Sequence, residues 1–458
     1  MSQRTVSVLR RLALPVYLPT ILGIAGSSAF LPVLPVIAVR LGFSVPGAAA
    51  LGIIHGVFAF LGPIPVARAI ALLGDRRLIT VAGLLQALAG IVLGVMLTRS
   101  LDAGTPNARD RLLLVLGVVV ISAGTVIWNV GRQAFLAQAL PPLMRARAMT
   151  TLGGALRVGQ VIGPLLGAMV IATGHTGWVL FLYAGMSLLA AILVAASMRT
   201  PAISDDSGPV PGQAAAAGSE QATAPASAPT SETAPASAPT PEPDELAPQP
   251  AGADRAHWRT QLRIALGLIP LMIARVNRPI VVPLLGLAVG LDESAISLMF
   301  GVAAVLEILL FIPAGVIMDR YGRAACAVPC LLGVGAGFAM LAPLGWGAEP
   351  SPEPAGWVFP FMLAAMLVMA VGNGLGSGIQ MTLSVDLARP EHRTRDLGRW
   401  NTFMGAAPLG APLLVSGVTL IAPVGAAAAA MTVLLVAGAW SLSRTLPAHT
   451  PAGTHSRR

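Results

Sequence analysis

The chain is predicted to be an all-α polytopic membrane protein: twelve transmembrane helices folded as two pseudo-symmetric six-helix bundles. Three observations lead there. They are a composition far outside the soluble range, a count of apolar stretches long enough to span a bilayer, and a repeat of the first half in the second. Of 458 residues, 55% are hydrophobic and only 11% charged, against about 25% charged in a typical soluble domain. Such a chain cannot cover a core with enough polar surface to stay in water.

A hydrocarbon core of about 30 Å needs roughly 20 apolar residues of helix. Segments near 14–38, 48–70, 78–98, 112–138, 149–173, 177–198, 264–289, 295–318, 324–344, 356–380, 398–421 and 424–445 meet that length. The first follows Arg10 and Arg11, but it runs on to Arg40 and more spans follow, so it reads as a helix and not as a cleaved leader. The 29 basic residues are all arginine. With both termini in the cytoplasm, 22 of them fall on that side or at helix ends facing it, four (Arg40, Arg99, Arg109, Arg111) fall outside, and Arg157, Arg275 and Arg278 lie within spans. That asymmetry satisfies the positive-inside rule with an even number of spans, and the expected location is the cytoplasmic membrane. The net charge of +9 does not point to nucleic acid, because the arginines sit in short loops and not along one helix face.

The repeat has one fixed offset of 248 residues. Pro35 falls on Pro283, Gly42 on Gly290, Val57 on Val305, Leu61 on Leu309, Ile64 on Ile312, Pro65 on Pro313 and Gly74 on Gly322. A parallel repeat in an apolar chain implies two bundles related by an axis along the membrane normal. The expected organisation is a bundle over 1–199, a linker over 200–257, a second bundle over 258–446 and a cytoplasmic tail over 447–458. From Pro201 to Asp254 there are eight acidic residues and no Arg, and the heptapeptide 224–230 recurs at 234–240. Such a Pro/Ala/Ser/Thr segment buries too little to offset its ordering entropy, so it is expected to be disordered.

The sharpest motif runs from Gly315 through Asp319, Arg320, Gly322 and Arg323, at the turn between the eighth and ninth spans. Gly315 permits close helix approach, and the two arginines hold the turn on the cytoplasmic side. A degraded copy lies in the first half, where Gly74 is retained; Asp75 either stands in for the missing carboxylate or leaves a weak copy. Span 5 carries Gly159, Gly163, Pro164 and Gly167, a small-residue face with a helix-bending proline. The glycines at 372, 374, 376 and 378 follow no strand, so they read as helix packing and not as a phosphate loop. Cys326 and Cys330 read as small core residues.

The turn motif resembles the loop signature of the major facilitator superfamily, and the span 5 motif is similar to one in its drug and proton antiporter branch. The resemblance covers the chain apart from the linker. It implies that the turn motif acts as a conformational latch between the bundles, and that helices 1, 4, 7 and 10 line a central cavity. By that implication Asn129, Arg132 and Gln133 of span 4, Asn277 of span 7 and Asn373 of span 10 become candidate cavity residues. Arg132 instead could anchor the cytoplasmic end of its helix by snorkelling.

Charge inside the spans is the other signal, because an ionised side chain at mid-bilayer costs about 2.5–3.5 kcal/mol on insertion scales. Arg275 and Arg278 share a face of span 7, and Pro279 and Pro283 are expected to interrupt that helix beside them. Glu307 lies deep in span 8. Either it takes up and releases a proton while the arginines meet a solute, or it stays ionised in a permanent pair that fixes spans 7 and 8 together. Arg157 and Gln160 share a face of span 5, and Asp386, Arg389, Arg393 and Arg395 are expected to form a gating network with the turn motif.

Three arginines against one carboxylate favour an anionic or neutral amphipath over a cation. The expectation is a monomeric secondary transporter, working by alternating access, that couples protons to the efflux of small organic molecules. Import of an anionic metabolite or nutrient is the alternative, and a receptor or scaffold that does not transport is the third reading. No catalytic constellation, cofactor motif or metal cluster is read in the sequence.

Overall fold

In the computed structural model the described residues are 12–103, 107–139, 142–198, 251–346, 355–389 and 392–446. The greater part of the expected linker and the tail from 447 lie outside them. Eleven helices among the described residues are long and apolar enough to cross a membrane, and a pair bent by 59° makes the twelfth. The first half holds α1 (Ala13–Arg40), α2 (Val45–Leu61 and Pro63–Leu73), α3 (Asp75–Ala103), α4 (Ala108–Ala139), α5 (Pro142–Ile171) and α6 (Trp178–Ser197). The second holds α7 (Ala251–Ala288), α8 (Glu293–Tyr321), α9 (Ala324–Leu341), α10 (Val358–Asp386), α11 (Arg393–Ile421) and α12 (Val424–Thr445).

The 248-residue offset persists through the tertiary structure. Gly42 and Gly290 both adopt a φ near +80°, as do Gly74 and, at +90°, Gly322. These turns need that backbone, which costs a residue with a Cβ strain. Two residues after the first pair of turns, Ser44 caps α2 by accepting from Gly47 N, and its equivalent Asp292 caps α8 by accepting from Ala295 N. Gly124 lies against Gln86 as Gly372 lies against Val334. In each half the first helix packs on the fifth and sixth, the third on the fourth and sixth, and the second on the fourth. No strand occurs among the described residues, so the spans satisfy most of their backbone polar groups within helices.

The halves meet through α2 against α11 and, symmetrically, α8 against α5. Glycine makes the approach possible: a Cβ at Gly52 would sit 2.9 Å from Pro412, one at Gly56 would overlap the Pro408 carbonyl, and one at Gly301 would sit 2.6 Å from Leu165. Ser416 Oγ donates to the Pro46 carbonyl at 3.0 Å, and Arg40 of α1 pairs with Glu293 at the start of α8. These contacts crowd the face opposite the chain ends. Toward the chain ends the halves part: α2 bends at Gly62, Ile64 and Leu72 are exposed, and nothing lies within 4 Å of a Cβ placed at Gly153, Gly154 or Gly315. Among the described residues the contacts between the halves are thus concentrated on the face away from residues 12, 198, 251 and 446.

Two expectations need correction. The break predicted in α7 is absent: the helix runs unbroken through Pro270, Pro279 and Pro283. A proline removes a single donor, and α7 is clasped between α11 and α12, which hold it straight enough to continue. The interruption lies in α10, where Gly378 takes a left-handed φ of +84° and splits Val358–Leu375 from Ile379–Asp386. The second correction concerns the linker boundary. Residues 251–257, expected in the linker, are helical and open α7.

Candidate functional site

Three helices of the second half bring their polar residues together. Arg278 of α7 forms an ion pair with Oε1 of Glu307 on α8, and its guanidinium lies 5.7 Å from the Phe300 ring centre. The other oxygen of Glu307 accepts from Asn373 Nδ2 of α10 at 2.8 Å. Asn373 Oδ1 in turn accepts from Arg275 Nε at 2.6 Å. Arg275 Nη2 then donates to the Gly376 carbonyl at 3.1 Å. That carbonyl sits at the glycine break, where its backbone partner is the Ile379 N–H at 3.3 Å, so the broken helix supplies an acceptor to a guanidinium. Glu307 and Asn373 are buried, at 8% and 9% exposure. Arg278 thus holds Glu307 directly and Arg275 reaches it through the Asn373 amide.

The first half supplies a third cation. Arg157 of α5 lies over the Phe311 ring of α8 at 5.8 Å and within coulombic reach of Arg275, Arg278 and Glu307. Gln160, one turn on, is exposed. The cluster thus spans the interface, with three guanidiniums to one carboxylate.

Other candidates lie apart from it. Asn277 is fully buried and turns its amide toward Met431 Sδ of α12, so it lies in the packing of its own bundle. Arg132 is 6% exposed, which removes the snorkelling alternative; it donates from Nε to the Trp128 carbonyl at 2.9 Å and from Nη2 to Asn129 Oδ1 at 2.6 Å. Asn129 and Gln133 are exposed on one side of α4. Gly159, Gly163 and Gly167 face α1 at Ile21, Ala25 and Ala29, and Pro164 adjoins the Leu165–Gly301 contact between the halves.

At the turn motif, Gly315 faces open space, so it makes no close approach here. The Asp319 side chain is 82% exposed and lies 3.9 Å from Arg323. Arg323 donates to Asp386 at 2.7 Å and to the Met318 carbonyl at 3.3 Å, and the Asp386 hydrogen bond pushes its guanidinium further above its ordinary value. Arg320 lies 5.4 Å from the Tyr321 ring centre. In the first half Gly74 forms the turn, and Asp75 Oδ1 accepts from Arg76 N at 2.8 Å, a local cap with no link to the other bundle among the described contacts.

The charge network after α10 is larger than its sequence reading. Asp254 accepts from Arg389 and Arg395 at 2.7 Å and from Arg399 at 3.3 Å, and Asp396 accepts from Arg389 Nε at 2.9 Å. Hydrogen bonds from Arg399 and then Arg389 hold the Asp254 carboxyl well below the usual carboxylate range. The side chain of Arg393 lies outside the described residues. Sequence reasoning missed Asp254, Asp396, Arg399 and Glu293. Asp254 is the last acid of an acidic segment, and only the fold brings it to arginines more than a hundred residues away.

A family model described as Major Facilitator Superfamily matches residues 16–266 and again 264–458. No curated protein matches the chain in sequence. Among solved structures, an auto-inhibited POT family peptide transporter superposes with a TM-score of 0.67 at 11% identity, covering 95% of this chain and 96% of that one. A point mutant of the nucleoside transporter NupG gives a TM-score of 0.64 at 11% identity over 95% and 99%. A bacterial homologue of the iron transporter ferroportin, in an inward-facing state, gives 0.63 at 16% identity over 97% and 99%. At these identities the likeness is one of fold.

Proposed function

The chain belongs to the Major Facilitator Superfamily, and on that premise we propose that it is a proton-coupled secondary transporter of small organic molecules. It works by alternating access in the cytoplasmic membrane, with both termini inside. The observation that carries this reading is the Glu307 cluster: a buried carboxylate tied to α7 and α10, facing Arg157 across the interface between the halves. A scaffold has no use for ionised groups that cost this much to bury.

Direction follows from what competes for the arginines. Protonating Glu307 removes the ion pair with Arg278 and leaves three guanidiniums without a carboxylate. An anionic solute then binds more tightly, and by linkage the bound anion favours the proton. Proton and anion therefore travel together, down the proton gradient and into the cell. A neutral amphipath hydrogen-bonded to ionised Glu307 would instead be displaced by the proton, which gives export. The charge balance supports cotransport of an anion best. Export is the second reading, supported by the α5 face of Gly159, Gly163 and Gly167 that packs on α1.

The test uses paired anionic, neutral and cationic fluorescent compounds in cells expressing wild type or Glu307→Gln, with and without a protonophore. Gradient-dependent gain of the anion in wild type, lost in the variant, supports cotransport. Gradient-dependent loss of the neutral compound supports export. Strong handling of a lipophilic cation, unaffected by Glu307→Gln, would sink both readings.

A further inference from the structure

The first half contains its own buried guanidinium, Arg132, which lies 5.8 Å from the Trp128 ring centre and has no carboxylate paired with it among the described residues. A cavity of about 30 Å³ lies between α1, α3, α4 and α6, its lining including Ser27, Gln86, Thr125, Trp128, Arg132 and Tyr183. Arg132 uses Nε and Nη2 on neutral oxygens, and its Nη1 donates to no acceptor among the described residues. No carboxylate is paired with it among the described residues, and none lines the cavity. A further donor of the lining, Trp128 Nε1, is buried without a hydrogen-bond partner. Gln86 spends its amide nitrogen on the Ile121 carbonyl at 3.0 Å.

The second half shows what is missing. At the 248-residue offset Thr125 corresponds to Asn373, Trp128 to Gly376 and Ala59 to Glu307. The Trp128 and Gly376 carbonyls each accept from a guanidinium, Arg132 in one half and Arg275 in the other. In the second half Glu307 provides the negative charge through Asn373; in the first, alanine stands where that carboxylate would be. A guanidinium left uncompensated in an apolar bundle is costly, and breaking a buried pair is among the larger single destabilisations known.

We propose that this cavity is a binding site for a small inorganic anion of chloride size, which serves as the counter-ion of Arg132. A volume of about 30 Å³ suits one such ion or a water or two. Asn129, hydrogen-bonded to Arg132 and the exposed member of the lining, marks the point of entry. The site is separate from the Glu307 cluster, and its occupancy does not depend on which solute is carried.

The experiment measures thermal unfolding of the purified full chain in detergent while chloride replaces gluconate at constant ionic strength, alongside ³⁵Cl NMR line broadening. In wild type, chloride raises the unfolding temperature saturably and broadens the ³⁵Cl line. Arg132→Gln abolishes both responses. Arg132→Lys keeps the charge but loses the planar fork, and needs about tenfold or more chloride for half-saturation. Arg275→Gln keeps the chloride response, which separates this site from the transport reading. Gluconate stabilising as well as chloride, or a chloride response that survives in folded Arg132→Gln, overturns the proposal. If Arg132→Gln does not fold, an unshifted half-saturation in Arg132→Lys overturns it as well.

Discussion

Ser27 and Arg275 stand at equivalent positions of α1 and α7, and this difference, with Ala59 against Glu307 and Thr125 against Asn373, separates the chemistry of the two halves. From α7, Arg275 reaches the Gly376 carbonyl of α10. With serine at the matching place in α1, the matching carbonyl at Trp128 is served by Arg132 of its own helix. Pseudo-symmetric bundles thus carry charge at corresponding depths from different helices. Among the described residues the second half alone adds a carboxylate to this arrangement, Glu307, which pairs with Arg278.

The ion pair of Arg278 with Glu307 should behave as a coupled unit. Arg278→Met alone leaves a buried carboxylate without its partner and is expected to lower stability by about 3–5 kcal/mol. The double variant Arg278→Met/Glu307→Met should recover most of that loss, because both charges go together. Thermal unfolding of the purified variants decides it; equal losses in the single and double variants would contradict the coupling.

The break in α10 should be sensitive at one residue. Gly378 has a φ of +84°, so Gly378→Ala is expected to cost about 1–2 kcal/mol in backbone strain. Transport should fall with it, since straightening α10 moves the Gly376 carbonyl away from Arg275. Gly410→Ala, within helical α11 with open space around it, should be neutral or slightly stabilising. Unfolding and uptake measured side by side would show whether the two glycines differ.

Closure on the face opposite the chain ends depends on Gly56, whose Cβ would overlap the Pro408 carbonyl. Cysteines placed at Pro46 and Ser416, in contact at 3.0 Å through oxygen atoms, should cross-link readily in the otherwise wild-type chain. Adding Gly56→Val should slow that cross-link and reduce transport. An unchanged cross-linking rate would mean that α2 and α11 are not sealed at this point.

The Asp254 network predicts a pH window. Its carboxyl is held below the ordinary range by Arg399 and Arg389, so the unfolded state binds the proton more readily than the folded one. The stabilisation is complete above the unfolded pKa of about 3.9 and is lost only as pH falls through the lowered folded value. Trypsin should therefore spare the start of α7, at Arg259, equally at pH 7 and pH 5.5. Asp254→Asn should expose this site at both pH values, which proteolysis of inside-out vesicles can measure.

Composition and period were enough to establish the helical class, the spans and the repeat, because a bilayer demands long apolar helices and a duplicated half keeps its turn glycines, as at Gly42 and Gly290. They also singled out Arg275, Arg278 and Glu307, since charge in lipid is conspicuous in any sequence, whereas Asn373 became a candidate only through the family resemblance. What each of these touches was not legible. Sequence spacing places Arg275 and Arg278 on one face but cannot say that only Arg278 meets Glu307, nor that Asn277 between them turns toward Met431. It placed the helix break at Pro279, where loss of one donor is tolerated by packing, and overlooked Gly378, where a left-handed backbone is required. Asp254 joining Arg389, and Arg40 joining Glu293, are contacts between segments far apart in the chain. Hydrophobic burial selects which helices meet, and only that selection decides which charges find an opposite charge and which, like Arg132, find only neutral partners among the described residues.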